Sequence, residues 1–419
     1  MSGAPVQGRA GARNASSNMN IAFIVDEFPS ISQTFVLNQI TGLLERGHQV
    51  DVYAHEIKAA ELQHPDVQRY RLLERTHRLA CPLNRWTRLM RGAELCARRM
   101  GTNAKAVLGS LNVFRYGRGA SSLTLLFQTA PFFRHYDIVH CQFGHNGQLG
   151  AVLKRLGLQK KLVVTFHGYD IRSAVESGGA LYGELWDEAD CLIAISKYNH
   201  DHLLRFGGDP EKIVYHPVGI DCRRFGYEPP SRNGRKSIRL LSVARLVEEK
   251  GLEFGIRAFD LLVKDRPGAA IHYDIIGEGP LHRRMQRLID ELGLESRVRL
   301  LGAKSQDEVI RALRQSDILL APSLAEALPV SLMEAHAVGL PVLATQVGSV
   351  DQIVQEGRSG FLVPPGDTAA LCRRLSDLIQ DPQQRAEMGL RGRRHVEQHY
   401  DIERLNDRLV NLYEDLLAA

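Results

Sequence analysis

Two glutamates on either side of a predicted helix start are the residues whose chemistry is most specific. Glu326 lies just before Pro329, a residue that suits the first turn of a helix, and Glu334 follows Glu326 by eight positions. The free N–H groups at a helix N-terminus suit a phosphate. The amides placed for this are those of Val330, Ser331 and Leu332. Because carboxylates accept hydrogen bonds from paired sugar hydroxyls, the pattern predicts a nucleotide-sugar site. The alternative is an acidic loop followed by a surface glutamate.

The elements around the two glutamates would place them at one edge of a parallel sheet. Residues Ile318 to Leu320 form a short apolar run that reads as a buried strand, and Val342 to Thr345 is the next strand. The helix between them is predicted from Pro329 through Ala335 and stops at Gly339. Ligands of open parallel α/β sheets bind beyond the carboxyl ends of the strands, where the loop carrying Glu326 lies.

Two cations follow a predicted strand that ends at Val243 and could hold a diphosphate. Arg245 and Lys250 lie in the loop before the next helix, and each charge-assisted hydrogen bond to a phosphate contributes about 1.5–3 kcal/mol. The alternative is a solvated pair beside Glu248 and Glu249. The spacing alone favours that alternative.

Two glycines follow the predicted strand Ala270 to Ile276. Gly277 and Gly279 begin a Gly-x-Gly-x-x-Gly pattern, but His282 occupies the third glycine position and no acidic residue ends the next strand. The pattern therefore does not favour a dinucleotide-binding redox site. A backbone turn near a nucleotide base fits better.

Histidines follow two predicted strands of the N-terminal half. His167 comes directly after the strand Leu162 to Phe166, and Gly168 permits close backbone approach. A lone histidine is more often an ordinary core or surface residue. Asp170 is as well suited to capping a helix as to binding a ligand. By position alone, Ser32 and His145, the latter in the loop Phe143-Gly144-His145, face the acceptor side.

The composition is ordinary for a soluble globular protein. The 419 residues include 53 Lys+Arg and 48 Asp+Glu, and the resulting charge of +5 does not indicate a nucleic-acid partner. Six scattered cysteines without a Cys-x-x-Cys pair predict reduced thiols and a cytoplasmic location. Without an Asp-x-Asp sequence or clustered His and Cys residues, we expect neither a metal nor another cofactor.

The order of predicted elements gives an α/β fold with two doubly wound domains. Residues 1–19 lack an apolar core and are predicted to be a disordered tail without a signal peptide. A β-α-β pattern opens the first domain, residues 20–221, and a second parallel sheet opens the second domain, residues 237–401. Residues 222–236 read as the linker between them. The last predicted helix runs from about Ile402 to Leu417.

Residues 68–118 form a basic segment with apolar residues at helical spacing. Trp86, Met90 and Met100 belong to the apolar positions, and arginines such as Arg88 and Arg91 surround them. Basic amphipathic helices can bind an anionic membrane surface. The alternative is a helix that packs on the first domain with a solvated basic rim. From the residues alone the two readings are balanced.

These motifs together resemble the retaining glycosyltransferases of family four, whose fold is GT-B. The resemblance extends from about Asn20 over nearly the whole chain and implies that Glu326 contacts the donor sugar and Glu334 the ribose hydroxyls. The family's Arg-x4-Lys phosphate clamp matches Arg245 and Lys250, and its His-Gly pair favours a catalytic role for His167. It also implies that the last helix crosses back to the first domain.

An N-terminal phrase narrows the resemblance to the branch that builds bacterial exopolysaccharides such as colanic acid. The phrase is Phe28-Pro29-Ser30-Ile31-Ser32-Gln33-Thr34-Phe35-Val36. The resemblance implies a UDP- or GDP-sugar donor and a glycan or polyprenyl-diphosphate-linked acceptor, which favours membrane docking of the basic segment. Two alternatives stay open at this point: another GT-B enzyme such as a nucleotide-sugar epimerase, and a non-catalytic scaffold of a polysaccharide assembly complex.

Overall fold

Two parallel β-sheets flanked by helices organise the chain. The computed structural model describes residues 18–30, 33–58, 64–177, 180–227 and 237–419. Ser32, residues 1–17 of the predicted tail and residues 228–236 of the predicted linker lie outside the described residues.

The first sheet has seven parallel strands whose apolar residues are buried on both faces. Its strands are β1 (Asn20–Phe28), β2 (Gln49–Ile57), β3 (Thr76–Arg78), β4 (Tyr136–Gln142), β5 (Gln159–Phe166), β6 (Cys191–Ala194) and β7 (Ile213–Tyr215). The order across the sheet is β3-β2-β1-β4-β5-β6-β7. The helices of this half are α1 (Thr34–Glu45), α2 (Pro65–Arg69), α3 (Arg85–Ser110), α4 (Val113–Ser121), α5 (Thr124–Thr129), α6 (Gly144–Arg155), α7 (Gly168–Glu176), α8 (Gly183–Glu188) and α9 (Lys197–Arg205).

The second sheet has six parallel strands and the same layered plan. Its strands are β8 (Ile238–Val243), β9 (Ile271–Ile276), β10 (Val298–Leu300), β11 (Ile318–Ala321), β12 (Val342–Thr345) and β13 (Gly360–Val363). The order is β10-β9-β8-β11-β12-β13, so the strand order reverses next to β8 and β11. The helices are α10 (Leu252–Asp265), α11 (His282–Glu291), α12 (Gln306–Gln315), α13 (Val330–Ala337), α14 (Thr368–Gln380), α15 (Pro382–His399) and α16 (Ile402–Ala418).

The C-terminal helix α16 returns to the first sheet, as the resemblance implies. Its residues Leu409 and Tyr413 are buried in the same apolar cluster as the strands β1 and β2. A backbone bridge between Ile220 and Asp401 joins the end of the first half to the start of this helix. The approach of α16 to α1 is close, because a Cβ at Gly42 would lie 1.8 Å from Asn406 Nδ2. The predicted two-sheet α/β architecture with a crossing helix is therefore confirmed.

The structure differs from the prediction at one loop and contains elements that were not predicted. The predicted loop at Phe143-Gly144-His145 is wrong beyond Phe143, because Gly144 begins α6. Helix α15 and strand β13 were not predicted. The hydrophobic pattern of α15 is weak because Gly389 and Gly392 occupy two of its buried positions, beside Met388 and Val396. A Cβ at Gly389 would lie 1.8 Å from the Gly339 carbonyl oxygen.

Candidate active site

A cavity of about 500 Å³ lies between the two sheets and is lined from both halves of the chain. The first half contributes the end of β1 and the residues that follow it, from Glu27 to Ser30, together with His64. The second half contributes the loops that follow β8 and β9 and the start of α13. Seven of the sequence-predicted site residues line this cavity: Arg245, Lys250, Gly277, Glu326, Val330, Ser331 and Glu334.

Helix α13 opens at the cavity wall without a side-chain cap. Pro329 is its N-cap residue and forms no side-chain hydrogen bond, and the first turn has no acidic residue. Val330 and Ser331 line the cavity. Leu332 differs, because its side chain is buried in the core and its amide donates to the Pro329 carbonyl oxygen at 3.3 Å. The first two amides of α13 are the ones left for a phosphate.

Glu334 lies one turn further along α13 and also lines the cavity. Its carboxylate has no hydrogen bond or ion pair within the described parts of the chain. Burial raises the pKa of Glu334 to about 7, because a carboxylate in a poorly solvated place loses the stabilisation of water. A half-buried acceptor without a partner is suited to hydroxyl donors brought by a ligand.

Glu326 lies in the loop between β11 and α13, and two side-chain donors hold its carboxylate in place. Lys250 Nζ lies 2.6 Å from Glu326 Oε1, and Ser323 Oγ donates to the same oxygen at 2.8 Å. The side chains of Glu326 and Lys250 are 11% and 20% exposed. Their ion pair therefore lies in a partly shielded place and orients Glu326 at the cavity wall.

Arg245 extends from the loop after β8 and is exposed. It forms no ion pair with any residue that the structure describes, so its guanidinium is available to an anion in the cavity. Lys250 differs from Arg245 because Glu326 already neutralises it.

Gly277 and Gly279 are needed by the same β8 loop. A Cβ at Gly277 would lie 1.9 Å from the Ala244 carbonyl oxygen, and a Cβ at Gly279 would lie 2.4 Å from the Leu246 carbonyl oxygen. Gly277 lines the cavity, whereas Gly279 is not among the lining residues. Both glycines allow the loop that carries Arg245 to pack closely on the turn after β9.

His167 lies behind the cavity wall. It is 6% exposed, is not among the lining residues, and its Nε2 lies 2.9 Å from Gln142 Oε1. Burial lowers the pKa of His167 to about 3, so the ring is neutral at neutral pH. Its neighbour Gly168 contacts the second half, because a Cβ there would lie 2.7 Å from Ala327 Cβ. The structure thus brings the His167 turn against the Glu326 loop without placing the imidazole in the cavity.

Asp170 joins two turns of the first domain. It is fully buried and accepts hydrogen bonds from the backbone N–H of His167 and of Gly144, both at 2.8 Å. Burial raises the pKa of Asp170 to about 6, and these two hydrogen bonds oppose the shift. The residue therefore acts as a helix-capping group, which the sequence left as one of two options.

Several residues of the cavity were not predicted from the sequence. His64, Arg224, Gln306 and Asp307 form a polar contact between the two halves. Arg224 lies 2.6 Å from His64 Nε2 and 2.9 Å from Asp307 Oδ1, and His64 Nε2 lies 2.7 Å from Gln306 Oε1. These residues are far apart in sequence and carry no local motif. Glu27 differs from these residues, because the sequence predicts that the loop Glu27 to Thr34, which follows the strand Ile21 to Val25, faces the cleft, and Glu27 lines the cavity.

No candidate metal site is found among the residues that the structure describes. Within the described ranges, no three His, Cys, Asp or Glu side chains come together in an arrangement that could hold a metal ion.

Two family models together match most of the chain. Residues 32–224 match the model described as Glycosyltransferase Family 4, and residues 228–395 match the model described as Glycosyl transferases group 1. WcaL of Salmonella typhimurium, named for colanic acid biosynthesis, is 34% identical over 413 residues, which cover 95% of this chain and all of that protein. The chain belongs to glycosyltransferase family four.

Other relatives of this glycosyltransferase carry related names. AmsK of Erwinia amylovora, a glycosyltransferase named for amylovoran biosynthesis, is 34% identical over 397 residues, covering 91% of this chain and 96% of AmsK. The family models and these relatives identify a glycosyltransferase, which removes the non-catalytic scaffold as an interpretation.

Solved structures confirm the GT-B fold of this glycosyltransferase. Alr3699/HepE of Anabaena, solved with UDP and glucose, has a TM-score of 0.72 at 18% identity, covering 95% of this chain and all of that one. Sucrose-phosphate synthase from Thermosynechococcus elongatus has a TM-score of 0.72 at 20% identity, covering 96% of this chain and all of that one. At these identities the similarity concerns the fold.

Proposed function

We propose that this glycosyltransferase transfers a sugar, with retention of anomeric configuration, from a nucleotide-diphosphate sugar to a glycan or lipid-linked acceptor in exopolysaccharide assembly. The observation that carries the proposal is the unpaired, half-buried Glu334 one turn beyond the uncapped start of α13 in the cavity. The names of WcaL and AmsK support the pathway, and the UDP and UDP-glucose bound by Alr3699/HepE support the donor class.

The second domain supplies the donor-binding groups in this proposal. Glu334 accepts hydrogen bonds from the ribose hydroxyls, because its carboxylate has no competing partner. Arg245 and the amides of Val330 and Ser331 hold the diphosphate at the start of α13. The turn at Gly277 lies near the base, and Glu326 contacts the donor sugar.

Stabilising the departing diphosphate is the main catalytic task of these groups. The bond between the anomeric carbon and the β-phosphate oxygen breaks, and the acceptor oxygen bonds to that carbon on the same face. The acceptor proton passes to the departing phosphate oxygen, so no protein nucleophile is required. Negative charge grows on the diphosphate, and Arg245, Lys250 and the first amides of α13 are arranged to stabilise it. His167 does not line the cavity, and it lies in the turn that packs against the Glu326 loop.

A transfer assay tests the proposal directly. Purified protein is incubated with UDP- and GDP-sugars, one at a time, and lipid extract from an exopolysaccharide-producing bacterium. We expect radiolabel to move from one donor to the extract, with release of the nucleoside diphosphate and an α-linkage from an α-donor. An epimerase would instead convert the sugar while it stays on the nucleotide, and that result would contradict the proposal.

We also propose that the basic helix α3 docks the protein on the membrane that holds a lipid-linked acceptor. It packs on the first domain through Gly92, Leu95, Cys96, Asn103, Ala106 and Val107. Its other face is exposed, with Trp86 and Met90 at 76% and 70% exposure, followed by Ala93, Ala97 and Met100. An apolar face that points away from the core between exposed arginines is typical of interfacial helices. None of the helices that the structure describes has the length and apolar character to span a bilayer.

Not every arginine of this segment is available to lipid. Arg88 is half-buried, and its guanidinium donates to the carbonyl oxygens of Pro82, Leu83 and Ser122. These hydrogen bonds hold the start of α3 against the end of α4. Arg85 and Arg91 are exposed and form no ion pair within the described residues, so they are the arginines placed for an anionic surface.

A further inference from the structure

Arg393 in α15 joins two separate parts of the backbone through one guanidinium group. Its Nη1 donates to the carbonyl oxygen of Phe225 at 2.8 Å and to that of Ala337, and its Nη2 donates to the carbonyl oxygen of Cys222 at 3.0 Å. Its Nε donates to Glu397 Oε1 at 2.7 Å. The Arg393 side chain is only 11% exposed. Three carbonyl groups thus share one shielded cation, and hydrogen bonds from a charged donor are stronger than those from a neutral one.

One of these carbonyl groups ends α13, the helix whose start lines the cavity. Ala337 is the last residue of α13, so its carbonyl oxygen has no acceptor role within the helix. The guanidinium of Arg393 donates to it and places a positive charge at the negative end of the helix dipole. The two helices also pack without a gap, because a Cβ at Gly392 would lie 2.3 Å from His336 Nδ1. Helix α15 therefore fixes the C-terminal end of α13.

The other two carbonyl groups belong to residues 222–225, the joining segment by which the chain leaves the first domain. Cys222 and Phe225 are both buried. Arg224 lies between them and reaches the cavity, where its guanidinium contacts His64 of the first domain. Arg393 therefore holds the segment that carries the polar contact between the two domains.

The position of the first turn of α13 depends on the position of its last turn. The helix has eight residues and is about 12 Å long, so it moves as one rigid piece. Its start supplies the free amides of Val330 and Ser331, and Glu334 lies one turn later. Hydrogen bonds weaken once donor and acceptor leave the range of about 2.7–3.2 Å. A shift of about 1 Å at the end of the helix therefore weakens the contacts that its start makes in the cavity.

We propose that Arg393 is a positioning residue of the transferase, which fixes α13 against the joining segment between the two domains. Arg393 does not line the cavity itself. Through the carbonyl groups of Ala337, Cys222 and Phe225, it sets where the first amides of α13 meet a diphosphate and how a bound donor faces the first domain. This assignment rests on the proposed function of the cavity as the donor site.

Calorimetric titration of nucleoside diphosphates into the full chain tests the assignment. UDP, GDP, ADP and CDP are titrated into the wild type, and the most tightly bound of them is titrated into Arg393→Met and Arg393→Lys. The temperature is one at which thermal denaturation shows the proteins to be folded. Methionine keeps most of the side-chain length without the charge, and lysine keeps the charge with fewer donors. The matched control is Arg391→Met, because Arg391 is an exposed arginine of the same helix paired with Glu387.

We expect Arg393→Met to bind the nucleoside diphosphate about tenfold or more weakly than the wild type, because the start of α13 is displaced. Arg393→Lys should bind about threefold more weakly than the wild type, a partial rescue by the retained charge. Arg391→Met should bind like the wild type. Transfer of sugar to the lipid extract at saturating donor should also fall about tenfold in Arg393→Met, because the bound donor is no longer aligned with the first domain.

A role of Arg393 in stability alone would lower the melting temperature and leave affinity and saturated transfer unchanged in the folded variants. An affinity of Arg393→Met within about twofold of the wild type would therefore overturn the assignment. If Arg393→Met does not fold, the affinity of Arg393→Lys decides by the same criterion. Absence of nucleoside-diphosphate binding to the wild type would instead contradict the donor site.

Discussion

Lys250 and Glu326 form an ion pair across the cavity wall, with Lys250 Nζ 2.6 Å from Glu326 Oε1. The pair connects the loop after β8 with the loop before α13. The residue predicted to hold the diphosphate is thus bound to the residue predicted to contact the donor sugar. A diphosphate entering the cavity would share the lysine with Glu326, so binding of the leaving group and orientation of the sugar contact are coupled.

Glu326→Ala should lower turnover more than nucleotide affinity. If its contact with the sugar strengthens as the glycosidic bond breaks, the loss in kcat is about 10²-fold or more. Steady-state kinetics with the cognate donor, together with calorimetric titration of the nucleoside diphosphate, separate the two effects. Glu387→Ala is the matched control, because Glu387 is an exposed carboxylate of the same domain paired with Arg391. Unchanged kcat in Glu326→Ala would refute the assigned role.

Arg245→Ala should weaken binding of a nucleoside diphosphate but leave binding of the nucleoside alone nearly unchanged. The guanidinium has no ion pair within the described residues, and the loss of one charge-assisted hydrogen bond corresponds to about 1.5–3 kcal/mol. Titrations with UDP and uridine, or GDP and guanosine, measure the two affinities. An equal loss for both ligands would show that Arg245 does not contact the diphosphate.

Glu334→Gln should stabilise the ligand-free protein at high pH. The pKa of Glu334 is about 7 in the folded chain, above its ordinary value near 4.5, so the folded state binds this proton more tightly than the unfolded state. The free energy of unfolding therefore falls as pH rises from about 4.5 through 7. Glutamine mimics the protonated acid. We expect a gain of about 1–3 kcal/mol at pH 8 and little gain at pH 5.

Chemical denaturation at the two pH values measures this difference. Glu387→Gln, an exposed glutamate substitution, serves as the control and should change neither value. A destabilised Glu334→Gln variant at pH 8 would show that the ionised carboxylate has a stabilising partner in the folded chain, and the account of Glu334 would be wrong.

Binding to anionic vesicles should depend on Arg85 and Arg91. Each basic residue near such a surface contributes about 1 kcal/mol, so Arg85→Glu with Arg91→Glu should weaken co-sedimentation with phosphatidylglycerol vesicles by at least tenfold. Trp86→Ser with Met90→Ser should also weaken it.

The control for the membrane experiment carries the same charge change on the second domain. Arg283→Glu with Arg287→Glu alters two exposed arginines of α11 and should leave vesicle binding unchanged. Wild-type binding should weaken as salt rises. If the wild type does not bind phosphatidylglycerol vesicles at low salt, α3 is an ordinary surface helix and the membrane proposal is wrong.

Most of the fold was predictable because buried strands and amphipathic helices leave a periodic apolar pattern. The strand Val342–Thr345 has the predicted bounds, and the last helix begins at Ile402 as predicted. Helix α15 was missed because glycines rather than apolar side chains make its close contacts at Gly389 and Gly392. The edge strand β3 was missed because three residues inside a basic segment are too few to show a period.

The candidate site was predictable where it follows chain order and hidden where it depends on tertiary contacts. Glu326 and Glu334 share one loop and one helix, so their spacing already indicates a common site. The Arg224–His64 contact joins residues 160 positions apart, and no local pattern reveals it. Arg88 looked like a free cation in the sequence, but its partners are backbone carbonyl groups that any sequence would supply.

The central claim is that the cavity between the two sheets binds a nucleotide-sugar through Glu334. Calorimetric titration of UDP, GDP, ADP and CDP into wild type, Glu334→Ala and the Glu387→Ala control tests it most directly. We expect one nucleoside diphosphate to bind the wild type and the control with equal affinity, and to bind Glu334→Ala at least tenfold more weakly. A wild type that binds none of the four, or a Glu334→Ala variant that binds as tightly as the wild type, would contradict the claim.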